Sequence, residues 1–452
     1  MNVINPTNGK LEKTYEPNSS FVVQEKIKAA QQEQHQWKKE SFASRAKLLS
    51  QVADLLEDKK EELGHLMVVE MGKLYRDAIA EAEKCAWVCR YYAEHGADFL
   101  TNKMKGTDAA KSYVSFEPLG VILAIMPWNF PFWQVFRCAA PAVMAGNTVL
   151  LKHASNVPGC ALAIEALFTE AGFPKGVFQT LLIDSAATAD VIASPAVRAV
   201  SLTGSEAAGR AVAKLAGEYL KKCVLELGGS DPYLILEDAD LDHAAEVCTK
   251  GRLLNNGQSC IGAKRFIVVE KVYDTFLEKF RAKMAAATMG HPMDEQTDLG
   301  PLARTDLRDD LHEQVQLSVR QGARCILGGE IPEMEGAYYP ATILVDVAPA
   351  QPAYYEELFG PVASVIKVID EQEAILVAND SPFGLGAAIF TRNTEAAERI
   401  AQEIDSGSVF INALVKSDPR LPFGGIKNSG FGRELSEFGI REFVNVKTVY
   451  VK

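Results

Sequence analysis

Residues 120–153 read GVILAIMPWNFPFWQVFRCAAPAVMAGNTVLLKH. An apolar run leads into a turn held by Pro127 and Pro131. A helical stretch follows, and a second apolar run closes the segment. Short apolar runs bounded by turn signals suit strands buried on both faces, and two of them joined by a helix imply a parallel sheet covered by helices. The texture recurs downstream. VFQTLLI (177–183), VRAVSLTGS (197–205) and CVLELGGSDPYLIL (223–236) read as buried strands, with VPGCALAIEALFTEAG (157–172) and SEAAGRAVAKLAGEYL (205–220) as the helices between them. A second alternating region begins near Asp240 and holds RFIVVE, PATILVD, ASVIKVI, AAIFT and GSVFIN, so two α/β domains are expected.

Upstream, residues 22–101 read as helices: FVVQEKIKAAQQEQHQWKK and SRAKLLSQVADLLEDKKEELGHLMVVEMG space apolar residues helically, with Ser41 and Ser44 as candidate N-caps. The tail EFVNVKTVYVK alternates like a strand, and SYVSFEPLG (112–120) is a second such segment. Exposed strand edges invite pairing with another subunit, and packing on their own domain is the alternative.

The 452 residues carry a net charge of −12, which argues against nucleic acid or an anionic membrane as the main partner. No stretch reaches the roughly 18 apolar residues that span a bilayer. MNVINPTNGK lacks the basic-then-apolar pattern of a secretory signal, so a cytoplasmic protein is expected. The eight cysteines show no C-x-x-C pair and no zinc spacing, and the seven histidines are scattered, so no metal site is expected.

Four short segments invite a chemical reading. NNGQSC (255–260) follows a helical-looking stretch, Asp240–Leu254, and runs five small or polar residues up to one thiol: either an idle loop cysteine or a nucleophile. SLTGSEAAGR runs a strand into Gly204 and Ser205 at a helix start, which offers free N–H groups and a positive dipole end to a phosphate. It is not G-x-G-x-x-G, so the usual dinucleotide fingerprint is absent. PWNFP (127–131) freezes the chain and presents Asn129, either as an oxyanion donor or as a structural turn residue. LELGG places Glu226 at the end of a buried strand, as a desolvated general base or as a carboxylate satisfied by backbone N–H groups.

PWNFP, Lys152, TGS (203–205), LELGG, NNGQSC, EELFGP (356–361) and PFGGIKNSGFGRE (422–434) together resemble the aldehyde dehydrogenase superfamily, nearly end to end and in the family's order. The resemblance implies that family's α/β fold. A Rossmann-like cofactor domain would span 1–97 and 119–227, a catalytic domain 228–438, and a small β bridging and oligomerisation element 98–118 and 439–452, in a homodimer or homotetramer. It also implies roles. Cys260 is the nucleophile that forms a thiohemiacetal and then a thioester, the Cys260 N–H and Asn129 hold the oxyanion, hydride passes to nicotinamide C4, and Glu226 activates the hydrolytic water. Trp128, Lys152, Gly204 and Ser205 hold the adenosine and phosphate end, Glu357 the nicotinamide ribose, and Phe359 packs beside it.

Many NAD-preferring members of the family have glutamate where this chain has Ser155. Serine removes the repulsion of a 2′-phosphate and donates to it, and Lys152 adds charge, so NADP is expected to be preferred and NAD tolerated. Alternatively, Ser155 caps the next helix. Arg137, eight residues after Asn129, matches the arginine with which the family's succinate-semialdehyde branch clamps a distal carboxylate. Its alternative is a helix arginine paired with a surface acid. Two features of some members of that branch are missing: a second arginine six residues before the cysteine is Leu254 here, and a redox-switch cysteine two residues after it is Gly262. Ser417 would assist the clamp, and Trp133 would line the tunnel or belong to the core. The expected reaction is oxidation of succinate semialdehyde to succinate. The rivals are another small aldehyde (glutarate semialdehyde or an aliphatic one), a CoA-acylating relative, a thiol esterase, and a non-catalytic role on the same scaffold.

Overall fold

The computed structural model describes residues 1–452. Five parallel strands, Lys222–Glu226, Val197–Thr203, Val121–Met126, Thr148–His153 and Phe178–Thr180, lie side by side in that order. The two-residue strand Gly430–Phe431 adds antiparallel at the Lys222–Glu226 edge. From Val121–Met126 the chain builds outward to one side, then returns to start the other. The order therefore reverses between Val121–Met126 and Val197–Thr203, and the crevice beyond the carboxyl ends at such a point is where open α/β sheets bind ligands. PWNFP and TGS sit at those two ends.

The helix Trp133–Met144, joining the first two strands, is buried along its whole length. The N-terminal helices Ser20–Trp37, Phe42–Asp58, Lys60–Met71 and Tyr75–Phe99 complete this half. Residues 44–72 form two helices, not one, divided at Lys59. Ser41 caps the first by accepting the Ser44 N–H at 3.0 Å, whereas Ser44 itself lies inside the helix and caps nothing.

A second sheet has seven strands: Arg324–Leu327, Thr342–Val345, Val362–Val368, Ala263–Val269, Asp231–Ile235, Gly386–Phe390 and Ser408–Ile411. All neighbours are parallel except the first pair. The run 223–236 is thus two strands belonging to different sheets. Its turn is pinned by Leu227 N–H to the Ser429 carbonyl at 3.0 Å and Gly229 N–H to Glu357 at 3.1 Å.

The tail strand Val444–Val451 pairs antiparallel with Lys111–Pro118 of its own chain over eight residues, and Lys103–Met104 flanks the other side of Lys111–Pro118. The tail's outer edge has no strand partner and exposes Val446, Tyr450 and Val451.

Candidate active site

The helix Leu241–Leu253, N-capped by Asp240, runs into the loop that carries the thiol. Asn255, Asn256 and Gly257 adopt φ of 54°, 57° and 77°, three left-handed residues in succession. Asn tolerates this region better than other side chains, and glycine is required at the third position. A Cβ on Gly257 would lie 2.2 Å from the Gly360 carbonyl carbon. The loop is then fastened on every side. Asn255 Nδ2 donates to the Asn129 carbonyl at 2.7 Å, and Asn256 Nδ2 to the Pro301 carbonyl at 3.0 Å. Gln258 Oε1 accepts the Ala303 N–H at 2.9 Å, and Arg252 donates to the Gly257 carbonyl at 2.7 Å. Buried Lys264 donates to the carbonyls of Ser259 and Cys260, both at 2.9 Å, and pairs with Glu357 at 3.3 Å. A loop held by that many buried bonds is a positioned one, not an idle one.

Cys260 lies where two cavities meet. One, of about 240 Å³, is lined by Lys84, Trp133, Arg137, Ser417 and Phe423 among others; the second, of about 260 Å³, by Trp128, Asn129, Gly204, Ser205, Glu357 and Phe359 among others; Cys260 and Gln134 line both. Burial pushes the Cys260 thiol up to about 12, outweighing the positive charges of Arg137 and Lys264. Asn129 is buried and gives one amide hydrogen to the Gln258 carbonyl at 3.1 Å, which leaves its second N–H free. The Cys260 backbone N–H makes no hydrogen bond either. Two unengaged donors thus flank the thiol, as an oxyanion requires.

Glu226 is 2 % exposed, and neither of its carboxylate oxygens has a hydrogen-bond partner. Burial, followed by repulsion from the buried Glu434 carboxylate, raises its carboxyl well above the usual range, against the pull of Arg137 and Arg433. Backbone N–H groups do not satisfy it, which removes the structural alternative for this residue.

On the other cavity's wall, the Trp128 and Phe359 rings meet edge to face at 5.8 Å. Ser205 caps the helix Glu206–Glu218, accepting the Ala208 N–H at 3.3 Å. A Cβ on Gly204 would find nothing closer than 3.8 Å, so packing does not demand glycine there, and the space it leaves suits a ligand phosphate. These surroundings fit part of a dinucleotide, a phosphate beside a flat ring. Lys152 and Ser155 lie at and just beyond the end of the neighbouring strand, outside the lining of either cavity. Ser155 is exposed and does not cap the following helix, Pro158–Glu170, whose N-cap position is Val157 with no side-chain bond. Glu70 does that work from a distance, accepting the Gly159 and Cys160 N–H groups at 2.8 and 2.9 Å.

In the first cavity the sequence-derived residues converge, with partners that spacing did not show. Arg137 is 2 % exposed, and its Nε lies 2.6 Å from Glu434, a buried acid and not a surface one. Its guanidinium stacks over Phe423 at 4.5 Å. Trp133 Nε1 donates to Ser417 Oγ at 3.1 Å. Glu81 accepts the Phe132 and Trp133 N–H groups at 2.8 and 2.9 Å, fixing the start of that helix, and is itself paired with Lys73. Leu254, where a second arginine would stand, lines the cavity as an apolar group. Sequence reasoning missed Lys84, Lys264 and Glu434. Glu434 ends a motif that was read but given no role. The only trace of Lys84 was a lysine directly beside Cys85, on the apolar stripe of its helix. No three His, Cys, Asp or Glu side chains converge in a way that could hold a metal ion, and no helix is long and apolar enough to cross a membrane.

A pinned thiol with two free donors thus opens onto two cavities, with an unpaired buried carboxylate, Glu226, outside the lining of both. The chain belongs to the aldehyde dehydrogenase family, whose model matches residues 1–449. It is 50 % identical over 448 residues to a Synechocystis sp. protein named "Probable succinate-semialdehyde dehydrogenase (NADP(+))", covering 99 % of each chain. It is 47 % identical over 453 residues to succinate-semialdehyde dehydrogenase (NADP(+)) 1 of Mycobacterium bovis, again covering 99 % of each. Among solved structures, succinic semialdehyde dehydrogenase from Streptococcus pyogenes in complex with NADP+ matches with a TM-score of 0.98 and 40 % identity, over 100 % of this chain and 99 % of that one.

Proposed function

We propose that the protein oxidises succinate semialdehyde to succinate with NADP as the preferred acceptor and NAD tolerated. The observation that carries this reading is Cys260 at the junction of a cation-lined cavity and one walled by Trp128, Gly204, Ser205, Glu357 and Phe359. The thiol adds to the aldehyde carbon, and the oxyanion takes hydrogen bonds from the Cys260 N–H and Asn129 Nδ2. Glu226, with both oxygens free, takes a proton from the water that cleaves the thioester. When bound, NADP supplies the nicotinamide that accepts the hydride. Trp128, Gly204, Ser205, Glu357 and Phe359 would hold it, with Lys152 and Ser155 at its 2′-phosphate. The names borne by the relatives support this choice of aldehyde and cofactor.

The test is kcat/KM for succinate semialdehyde and for butanal, each with NADP and NAD. Butanal has the same chain length without the carboxylate. A preference for succinate semialdehyde of about 100-fold, roughly 2.7 kcal/mol of transition-state binding, is expected. One observation favours a second reading, a general aliphatic aldehyde dehydrogenase: Glu434 already neutralises Arg137. Equal rates for butanal would establish that reading instead.

Ser155→Glu should lower the NADP-to-NAD ratio of kcat/KM by about tenfold or more, since a carboxylate repels the 2′-phosphate and accepts from a 2′-hydroxyl. An unchanged ratio would remove Ser155 from cofactor choice. The exposed outer edge of Val444–Val451 supports assembly into a dimer or a dimer of dimers through residues 98–118 and 439–452, with 1–97 and 119–227 as the cofactor domain and 228–438 as the catalytic one. A cytoplasmic location fits eight free cysteines.

A further inference from the structure

The cavity leading to Cys260 is lined by four cations besides the thiol: Lys73, Lys84, Arg137 and Lys416. Two are already neutralised. Lys73 is paired with Glu81, and Arg137 Nε with Glu434. The other two make no ion pair: Lys416 is exposed to solvent on its loop, and Lys84 lies on the helix Tyr75–Phe99. It is half-buried, its ammonium lies 4.3 Å over the Trp133 ring, and its one hydrogen bond, 2.9 Å long, goes to the neutral hydroxyl of Ser417. An ammonium has three donors, so two remain free. Ser417 Oγ accepts from both Lys84 and Trp133, which fills its acceptor sites and leaves its own hydrogen to give. The result is a half-buried positive charge with no anionic partner beside a hydroxyl whose own hydrogen is ungiven, in the cavity that ends at the thiol. Taking a charge out of water is costly unless an opposite charge meets it. The acids around Lys84 do not serve. Glu81 belongs to Lys73, and Asp418, at the loop that brings Ser417, to Arg420 at 2.7 Å. Asp77 also lines the cavity, but its side chain is more than a third exposed and its ion partner is Arg76, at 4.0 Å.

We propose that Lys84, together with the Ser417 hydroxyl, is the group that binds the distal carboxylate of the aldehyde, and that it supplies the net charge which Arg137, tied to Glu434, does not. This rests on the reading of the substrate given above and adds the residue that selects it. It also accounts for Leu254: a second arginine is not needed where a lysine from another helix supplies the charge. Burial, then Arg137, lowers Lys84 to about 8, against Cys85, Glu81 and Asp418, which raise it. The ammonium form is thus the one lost as pH rises through that value, and a carboxylate's advantage is lost with it.

The experiment compares kcat/KM for succinate semialdehyde and butanal, with NADP, in the wild type, Lys84→Met and Lys84→Arg. The ratio of the two substrates cancels any general loss of folding or chemistry. Lys84→Met should cut that ratio by about 30-fold, carried mainly by KM, with Lys84→Arg restoring part of it. In the wild type the ratio should fall as pH rises through about 8, and this fall should vanish in Lys84→Met. A wild-type preference for succinate semialdehyde that Lys84→Met leaves within about threefold would overturn the proposal while the substrate reading stands. No preference in the wild type would overturn both.

Discussion

Replacing Cys260 by alanine should lower kcat by about 10⁴-fold or more with every aldehyde, while NADP still binds within about threefold of the wild-type Kd. The size of the loss follows from the chemistry. A hydride leaves an aldehyde carbon readily only after a nucleophile has made it tetrahedral, and no other thiol is available. Cys85, Cys89, Cys138, Cys160 and Cys248 are buried in the core, and neither Cys223 nor Cys325 lines either cavity. Cofactor binding should survive because the cleft is walled by Trp128, Gly204, Ser205, Glu357 and Phe359. The loop keeps its shape through Asn255, Asn256, Gln258 and Lys264, none of which bonds the Cys260 side chain. Steady-state assays and a fluorescence titration with NADP check both halves. Residual turnover within tenfold of wild type would displace Cys260 as nucleophile.

Glu226→Gln should slow thioester hydrolysis by about 10²–10⁴-fold and leave the initial burst of NADPH at full amplitude. The glutamine is close to isosteric, and Glu226 makes no hydrogen bond for the fold to lose. Only its ability to take a proton disappears. Because burial and Glu434 hold the carboxyl above its usual range, the base form grows in as pH rises. Wild-type kcat should therefore increase with pH through that ionisation, and the increase should be absent from the variant. Stopped-flow absorbance at several pH values separates the phases. A burst abolished together with the steady state would mean that Glu226 is needed for acylation as well.

Both predictions concern residues that local pattern could mark. The strand–turn–helix–strand at 120–153, the TGS turn and the NNG turn before the thiol are set by neighbours in sequence, and they stand where periodicity and turn chemistry put them. What pattern does not carry is pairing across long separations. The run 223–236 looked continuous because both halves are apolar and buried; only the bonds of Leu227 and Gly229 to residues 429 and 357 divide it between sheets. The tail strand's partner lies more than 300 residues upstream. The helix after Ser155 is held instead by Glu70, 89 positions before Gly159. The same limit applies in the site. Arg137 was visible as a cation on the right helix, but its neutralisation by Glu434, 297 positions on, was not. Lys84 reads as an ordinary helix lysine until Trp133 and Ser417 are placed beside it.

The central claim joins one thiol to one substrate, and a single measurement addresses both. Glu226→Gln is mixed with succinate semialdehyde and NADP, quenched in acid within the burst, digested and analysed by mass spectrometry. The account predicts a succinyl thioester on the peptide that carries Cys260, present with NADP and absent without it. An unmodified Cys260, or an acyl group found on another cysteine, would contradict it.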